Sequence, residues 1–215
     1  MADTKISLLT ALTAPAYNDL LAIVDVTSPA ETKKITRENL LGLTAISGVL
    51  HKQLWIGGWK PTVTSGCAAS APIEMATNKN VYDYCAFDKA TIEYAYANIP
   101  MPDDYSGGTI YAKFYWLHPA TTTNFGVSWG LQAVAMSNDD ALDVAQGTAK
   151  YANDVGGTTY DLYISPLTAA ITIAGTPVAG DLVQFRASRK ADDATNDTLD
   201  VDAYLIGVMV WYPVG

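Results

Sequence analysis

Histidine, the side chain whose unperturbed pKa lies nearest neutral pH, occurs only at His51 and His118 in 215 residues. Neither sits at metal-ligand spacing from a cysteine or from the other, so no zinc pattern is written in the chain. No Gly-x-Ser-x-Gly elbow presents a nucleophilic serine. The two cysteines, Cys67 and Cys85, allow at most one disulfide. Alternation through Val81–Asp88 sets Cys85 on the side of Val81 and Phe87, which predicts a buried free thiol. Three acids, Asp83, Asp88 and Glu93, could in principle form the facing pair a glycosidase needs. Asp88 falls at a turn, however, and Glu93 alternates outward beside Ile92 and Tyr94, which predicts a solvated polar face.

The acid-rich stretch Asp192–Asp202 invites a calcium reading, since calcium takes about six to eight oxygens. It has no glycine at the sixth position and no closing glutamate, and a hairpin loop built on Asx turns accounts for it as well. Gly57-Gly58, Gly107-Gly108 and Gly156-Gly157 each join strand to strand and make no phosphate cradle. No cofactor is expected.

What remains is aromatic. Tyr111 and Tyr115 flank Lys113 on one strand face, and Trp55 and Trp59 stand at the start of the β-rich region. Rings with nearby polar groups can hold a glycan; tyrosines at period two also suit a subunit interface. Composition favours the interface. Charged residues make up 16% of the chain, against about 25% in average globular proteins, beside 13 Tyr and 5 Trp. A surface with so few charges is most simply covered by copies of itself. Thirteen basic against 22 acidic residues give a net charge of −9, which repels nucleic acid. No window approaches about 18 consecutive apolar residues, so no membrane insertion is expected. The opening Met-Ala-Asp-Thr-Lys-Ile-Ser has no basic region leading into an apolar stretch, so no signal peptide is expected.

These side chains must be positioned by strands. Leu20–Val26 and Glu31–Ile35 read as a hairpin around Thr27-Ser28-Pro29, followed by a short capped helix through Leu40-Leu41 and ended by Gly42. Residues 44–53 are small and neutral and read as a linker. Beyond residue 54 alternation prevails: Ile110, Ala112, Phe114 and Trp116 share a face, as do Phe125, Val127, Trp129 and Leu131, and as do Val183, Phe185 and Ala187. The final strand is apolar on both faces from Ala203, which predicts cover on both sides. Only Asp140–Gln146 reads as a helical turn, with Leu142 and Ala145 as its apolar contacts. Asp154-Val155-Gly156-Gly157 reads as a turn. About eight strands without helical crossovers predict an all-β fold, an antiparallel β-sandwich of jelly-roll type.

Lys5-Ile6-Ser7, Leu9-Thr10-Ala11-Leu12, Asp19–Val26, Thr32–Thr36 and Asn39-Leu40-Leu41 resemble the N-terminal attachment segment of tailed-bacteriophage fibre and virion-surface proteins. Gly66-Cys67, Tyr82-Asp83 to Phe87-Asp88, Met101-Pro102, Phe114-Tyr115-Trp116, Val127–Gly130 and the Arg189–Asp193 loop resemble phage structural proteins too. The resemblance implies residues 1–43 as a virion anchor, 44–53 as a linker and 54–215 as a TNF-like jelly-roll displayed as a homotrimer on the virion surface. In this reading Leu20, Leu21, Ile23, Val24, Ile35, Leu40 and Leu41 dock on a capsid or tail protein. Tyr111, Tyr115, Tyr204, Ile206, Val208, Val210 and Tyr212 form the trimer interface. No catalytic residue is implied; a host-surface glycan is the alternative ligand, as for a receptor- or carbohydrate-binding module.

Overall fold

The structure, a computed structural model, describes residues 20–25, 31–36, 42–120 and 124–215. Among them every regular element is a strand. The chain divides into two compact units, residues 1–51 and 52–215.

In the first unit β1 (Leu20–Asp25) and β2 (Glu31–Thr36) form the expected antiparallel hairpin, with Leu21 opposite Ile35 and Val24 opposite Thr32. The expected helix, with Leu40 and Leu41, lies outside the described residues. The expected linker is instead paired. β3 (Thr44–Ile46) turns into β4 (Val49–Ile56) through Ser47 and Gly48, whose φ angles of 52° and 80° both lie in the left-handed region. A two-residue turn of that hand matches the twist of the strands it joins. A three-residue strand is too short to display alternation, so its sequence read as featureless.

The second unit is a sandwich. β5 (Lys60–Pro61), β6 (Ala71–Glu74) and β7 (Val81–Phe87) lead into β8 (Glu93–Pro100), β9 (Tyr111–Leu117) and β10 (Phe125–Met136). β11 (Lys150–Gly156), β12 (Tyr163–Ile164), β13 (Leu182–Arg189) and β14 (Ala203–Pro213) follow. Sheet order is β7-β14-β9-β12 on one side and β8-β13-β10-β11 on the other, with β5 added beside β8 and β6 beside β7. From β7 to β14 each connection crosses between sheets except the β10–β11 hairpin, which is the doubly wound Greek-key path of a jelly-roll. The all-β antiparallel sandwich read from alternation is the observed fold.

The inner faces carry the predicted residues. Ile110, Ala112, Phe114, Trp116, Val127, Trp129, Leu131, Val183 and Ala187 are fully buried. Trp129 centres an aromatic cluster, edge-on to Phe87 at 5.2 Å and stacked on Phe114 at 5.9 Å between ring centroids. Cavities left by truncating such side chains cost about 3–5 kcal/mol. Two local expectations fail. Asp140–Gln146 forms no helix: Asp140 caps a turn by accepting from Ser137 N (2.8 Å), and Leu142 is solvent-exposed. Asp154, Val155 and Gly156 are not a turn but the end of β11, with Gly156 opposite Phe125. Gly156 is required there by crowding, since a Cβ would meet the Phe125 ring.

One buried charge ties the sheets together. Arg189, at the end of β13, is fully buried; its Nε and Nη2 donate to Asp197 Oδ1 at 3.1 and 2.7 Å. Nη1 donates to the carbonyls of Phe87 (3.2 Å) and Val201 (2.7 Å), and Nη2 also donates to Leu199 O (2.6 Å). The guanidinium thus holds the end of β7 and the approach to β14 against β13, with all of its nitrogens engaged.

Candidate functional site

The three acids are engaged in different ways, and Asp88 and Glu93 are direct neighbours. Asp88 Oδ1 accepts from the amides of Ala90 and Thr91, both at 2.7 Å, and these bonds hold its carboxyl below the usual range. It is the turn residue that its position implied. Glu93 Oε2 accepts from Asp88 N (2.8 Å), and partial burial raises its pKa. Asp83 is exposed on β7 opposite Pro72. In the acid-rich loop Asp193 forms an Asx turn with the amides of Thr195 and Asn196, both at 3.2 Å, and Asp197 is bound to Arg189. Among the described residues no three acid, histidine or cysteine side chains cluster as a metal site.

His118 closes β9 and is fully buried, 4.5 Å from the Phe125 ring and 5.5 Å from that of Tyr163. Neither ring nitrogen makes a hydrogen bond of good geometry, and burial pushes its pKa below the ordinary value. It is packed as a ring rather than poised as a base. Cys85 is the expected buried free thiol and donates to Trp59 O at 3.3 Å. The Cys67 thiol is pushed up by its hydrogen bond with Cys85 and by burial, which makes it a poor nucleophile.

The distinctive surface is the outer face of the β7-β14-β9 sheet. Tyr84 and Tyr204 stack at 4.2 Å, Trp55 stands edge-on to Tyr115 at 5.1 Å, and Lys113 lies 5.7 Å over Trp211. Tyr111, Met209 and Ile206 continue it, each half-buried. Trp55 lies against Gly207, where a Cβ would run into its ring, so the glycine leaves room for the indole on the strand. Residues 111, 113 and 115 face outward as alternation predicted, and Tyr204 and Ile206 do too.

Val208, Val210 and Tyr212 do not belong to this face. Val208 and Val210 are fully buried in the sandwich, while the buried Tyr212 donates its hydroxyl to Asp104 Oδ1 at 3.1 Å. The cause is a β-bulge. Leu205 pairs with Trp116, but Gly207 pairs with Tyr115, so Ile206 is an extra residue on β14. One extra residue inverts the alternation beyond it. Val208 and Val210 therefore turn inward opposite Phe114 and Ala112, while Met209 and Trp211 turn outward opposite Lys113 and Tyr111.

Beside this strip lies an open depression of about 230 Å³, with Leu117 and Ile206 along it and Tyr82, Tyr160 and Asp161 around it. Tyr82 and Tyr160 are 42% and 46% exposed. Sequence reading missed Tyr160, because nothing local marks it as a loop residue with φ of 63°. The outer face of the opposite sheet is different in kind. Arg186 lies 4.7 Å over Tyr94, Gln146 Nε2 donates to Gln184 Oε1 (2.9 Å), and Gln184 Nε2 donates to Asn98 Oδ1 (3.3 Å).

Fold and surface together define a jelly-roll β-sandwich whose β7-β14-β9 outer face carries a contiguous strip of rings. No family model and no curated protein matches the chain. Among solved structures it is similar to the CBM22-2 xylan-binding domain of Paenibacillus barcinonensis Xyn10C, with 14% identity over 73% of this chain and 92% of that one, TM-score 0.41. It is similar to the CBM22-1-GH10 modules of Clostridium thermocellum xylanase 10B complexed with xylohexaose, at 12% identity, TM-score 0.40, covering 75% of this chain and 28% of that one. The family 11 carbohydrate-binding module of Clostridium thermocellum matches at 8% identity over 80% of this chain and 95% of that one, TM-score 0.36.

Proposed function

We propose that this is a non-catalytic surface protein of a tailed-phage virion. It is anchored through residues 1–43 and displays residues 54–215 as a self-associating jelly-roll. The observation that carries the self-association is the outer face of the β7-β14-β9 sheet, where the half-buried Tyr84, Tyr204, Tyr115 and Met209 and the exposed Trp55 form one strip, with Lys113 over the buried ring of Trp211. Apolar strips of this kind mark contact surfaces, and aromatic residues and Met are enriched in interface cores. The virion assignment is supported by the N-terminal resemblance.

Three copies joined through this face bring three anchors into one particle, and the second and third bind at high effective concentration. Light scattering on the intact chain tests the oligomer: a mass near three times 23.0 kDa is expected, and a monomer at all concentrations overturns it. Deleting residues 1–43 is expected to abolish incorporation into particles and leave a soluble trimer. Particles carrying the truncated chain would sink the anchor.

A second reading, recognition of carbohydrate by the same domain, is favoured by the half-exposed Tyr82 and Tyr160 around the depression beside Ile206.

A further inference from the structure

We infer that the depression bordered by Tyr82, Tyr160 and Asp161 is a binding site for one neutral pyranose ring of an oligosaccharide, with Tyr160 as its platform and Asp161 as its hydroxyl acceptor. This deepens the second reading above and rests on it.

The first observation is the backbone. Tyr160 sits at φ 63°, a left-handed conformation that side chains other than Gly, Asn and Asp seldom adopt. Strain of this kind persists where the surroundings impose it, and it concentrates at ligand-binding positions. Here the surroundings do impose it. Tyr160 N donates to His118 O (3.0 Å), Thr159 Oγ1 donates to Ala120 O, and Asp161 N donates to Thr158 O (3.3 Å). The Tyr163 hydroxyl pins the start of the loop, accepting from Gly157 N (2.9 Å) and donating to Thr158 O (2.8 Å). A loop held from so many directions could have carried glycine at this position without strain. It carries a tyrosine whose side chain remains 46% exposed.

The second observation is the lining. Met75, Leu117, Leu162 and Ile206 give the hollow apolar walls, and Tyr82 and Tyr160 add two rings with hydroxyl groups. A pyranose has one C–H face, suited to an aromatic ring, and an edge of hydroxyls, suited to a carboxylate and to phenols. About 230 Å³ falls below the roughly 300–1,000 Å³ of sites for drug-sized ligands. It accommodates one ring, and the open mouth lets the rest of a chain leave. Asp161, on a protein of net charge −9, disfavours anionic sugars. Preorganisation of the loop lowers the ordering cost that weakens small-ligand binding.

The test is an amide-shift titration of the intact chain with xylotetraose, cellotetraose and lactose, with sialyllactose and tetramethylammonium as controls. Expected is saturable binding of a neutral saccharide, with a dissociation constant on the order of 0.1–10 mM and shifts confined to the residues that line the depression. Tyr160→Ala and Asp161→Asn each weaken it about tenfold or more. Tyr160→Gly abolishes binding while raising the thermal midpoint, because it relieves the left-handed backbone; a tyrosine retained only for packing would give a lower midpoint. Saccharide binding with shifts elsewhere overturns this site and spares the carbohydrate reading. No shift with any neutral saccharide at tens of millimolar overturns both. A response to tetramethylammonium alone overturns the sugar assignment in favour of a cation site.

Discussion

The two outer faces of the sandwich are built by the same alternation and end up as different surfaces. On the β8-β13-β10-β11 side the outward positions carry Gln184, Arg186 and Asn98, joined by amide hydrogen bonds and a guanidinium over a ring. On the β7-β14-β9 side they carry Tyr84 stacked on Tyr204, Tyr115 edge-on to Trp55, Met209, and Lys113 over Trp211. Both faces contain aromatics, so aromatic content alone does not distinguish them. The difference lies in what surrounds the rings. On the first face Gln146, Gln184 and Asn98 bond one another, and the exposed Tyr151, Val155 and Leu182 stand apart among polar groups; on the second, half-buried rings adjoin in one strip, and covering apolar area gains about 25 cal/mol per Å². The contrast is between exposed apolar groups scattered among polar partners and a contiguous aromatic strip.

The largest expected effect comes from severing the tie that both faces depend on. Arg189→Ala leaves the Asp197 carboxylate buried without its partner and frees the carbonyls of Phe87, Leu199 and Val201. Unfolding in urea is expected to show a loss of about 3–5 kcal/mol. An unchanged midpoint would mean that the guanidinium does not hold the sheets together.

Next in size is a charge placed on each face. Met209→Arg, opposite Lys113 in the pairing register, is expected to reduce the light-scattering mass to that of one chain. Gln184→Glu on the other face is expected to leave the mass unchanged. Equal responses from the two variants would erase the distinction between the faces.

Gly207→Ala brings a methyl group into the Trp55 ring and to 3.0 Å from Ile56 O. Overpacking of this kind costs about 1–3 kcal/mol. Because Trp55 is displaced from the aromatic strip, tryptophan emission shifts and self-association weakens together.

The smallest effect is a pH dependence common to both faces. Burial lowers the His118 pKa in the folded chain, so the unfolded chain takes up the proton more readily. The resulting stability is complete above the unfolded value of about 6.5 and is lost as pH falls below it. His118→Phe, which suits the Phe125 and Tyr163 surroundings, is expected to flatten this slope between pH 7 and 5 in thermal melts.

Much of the sandwich could be read from sequence because alternation is a local signal. Ile110 to Trp116 and Val183 to Ala187 announce their inner faces without reference to anything distant. The turn role of Asp88 was readable for the same reason. β14 was half readable. Its outward Tyr204 precedes the bulge at Ile206, while Val208 and Val210 follow it, and the bulge arises from pairing with β9 some ninety residues away. Asp197 looked like one acid among several because its partner is chosen by the closing of a loop, at a separation with no periodic meaning. Tyr160 was hidden for a similar reason, since its unusual φ is imposed by His118, which belongs to another strand end. The Ser47-Gly48 turn, by contrast, carried a usable dipeptide signal that the featureless flanks obscured.

The extra residue at Ile206 also makes β14 a strand with a built-in change of phase. Its two halves are addressed by opposite parities, one counted from Ala203 and the other from Val210. Exchange of one side chain for another leaves that count intact, so the strand can drift widely in residue type. Loss or gain of a single residue between those points does not. It would send Val208 and Val210 to the outside and Met209 and Trp211 into the core in one step. The constraint written into this strand is therefore on its length, and a family of such chains would be recognised by the spacing between Leu205 and Val208 more reliably than by the residues themselves.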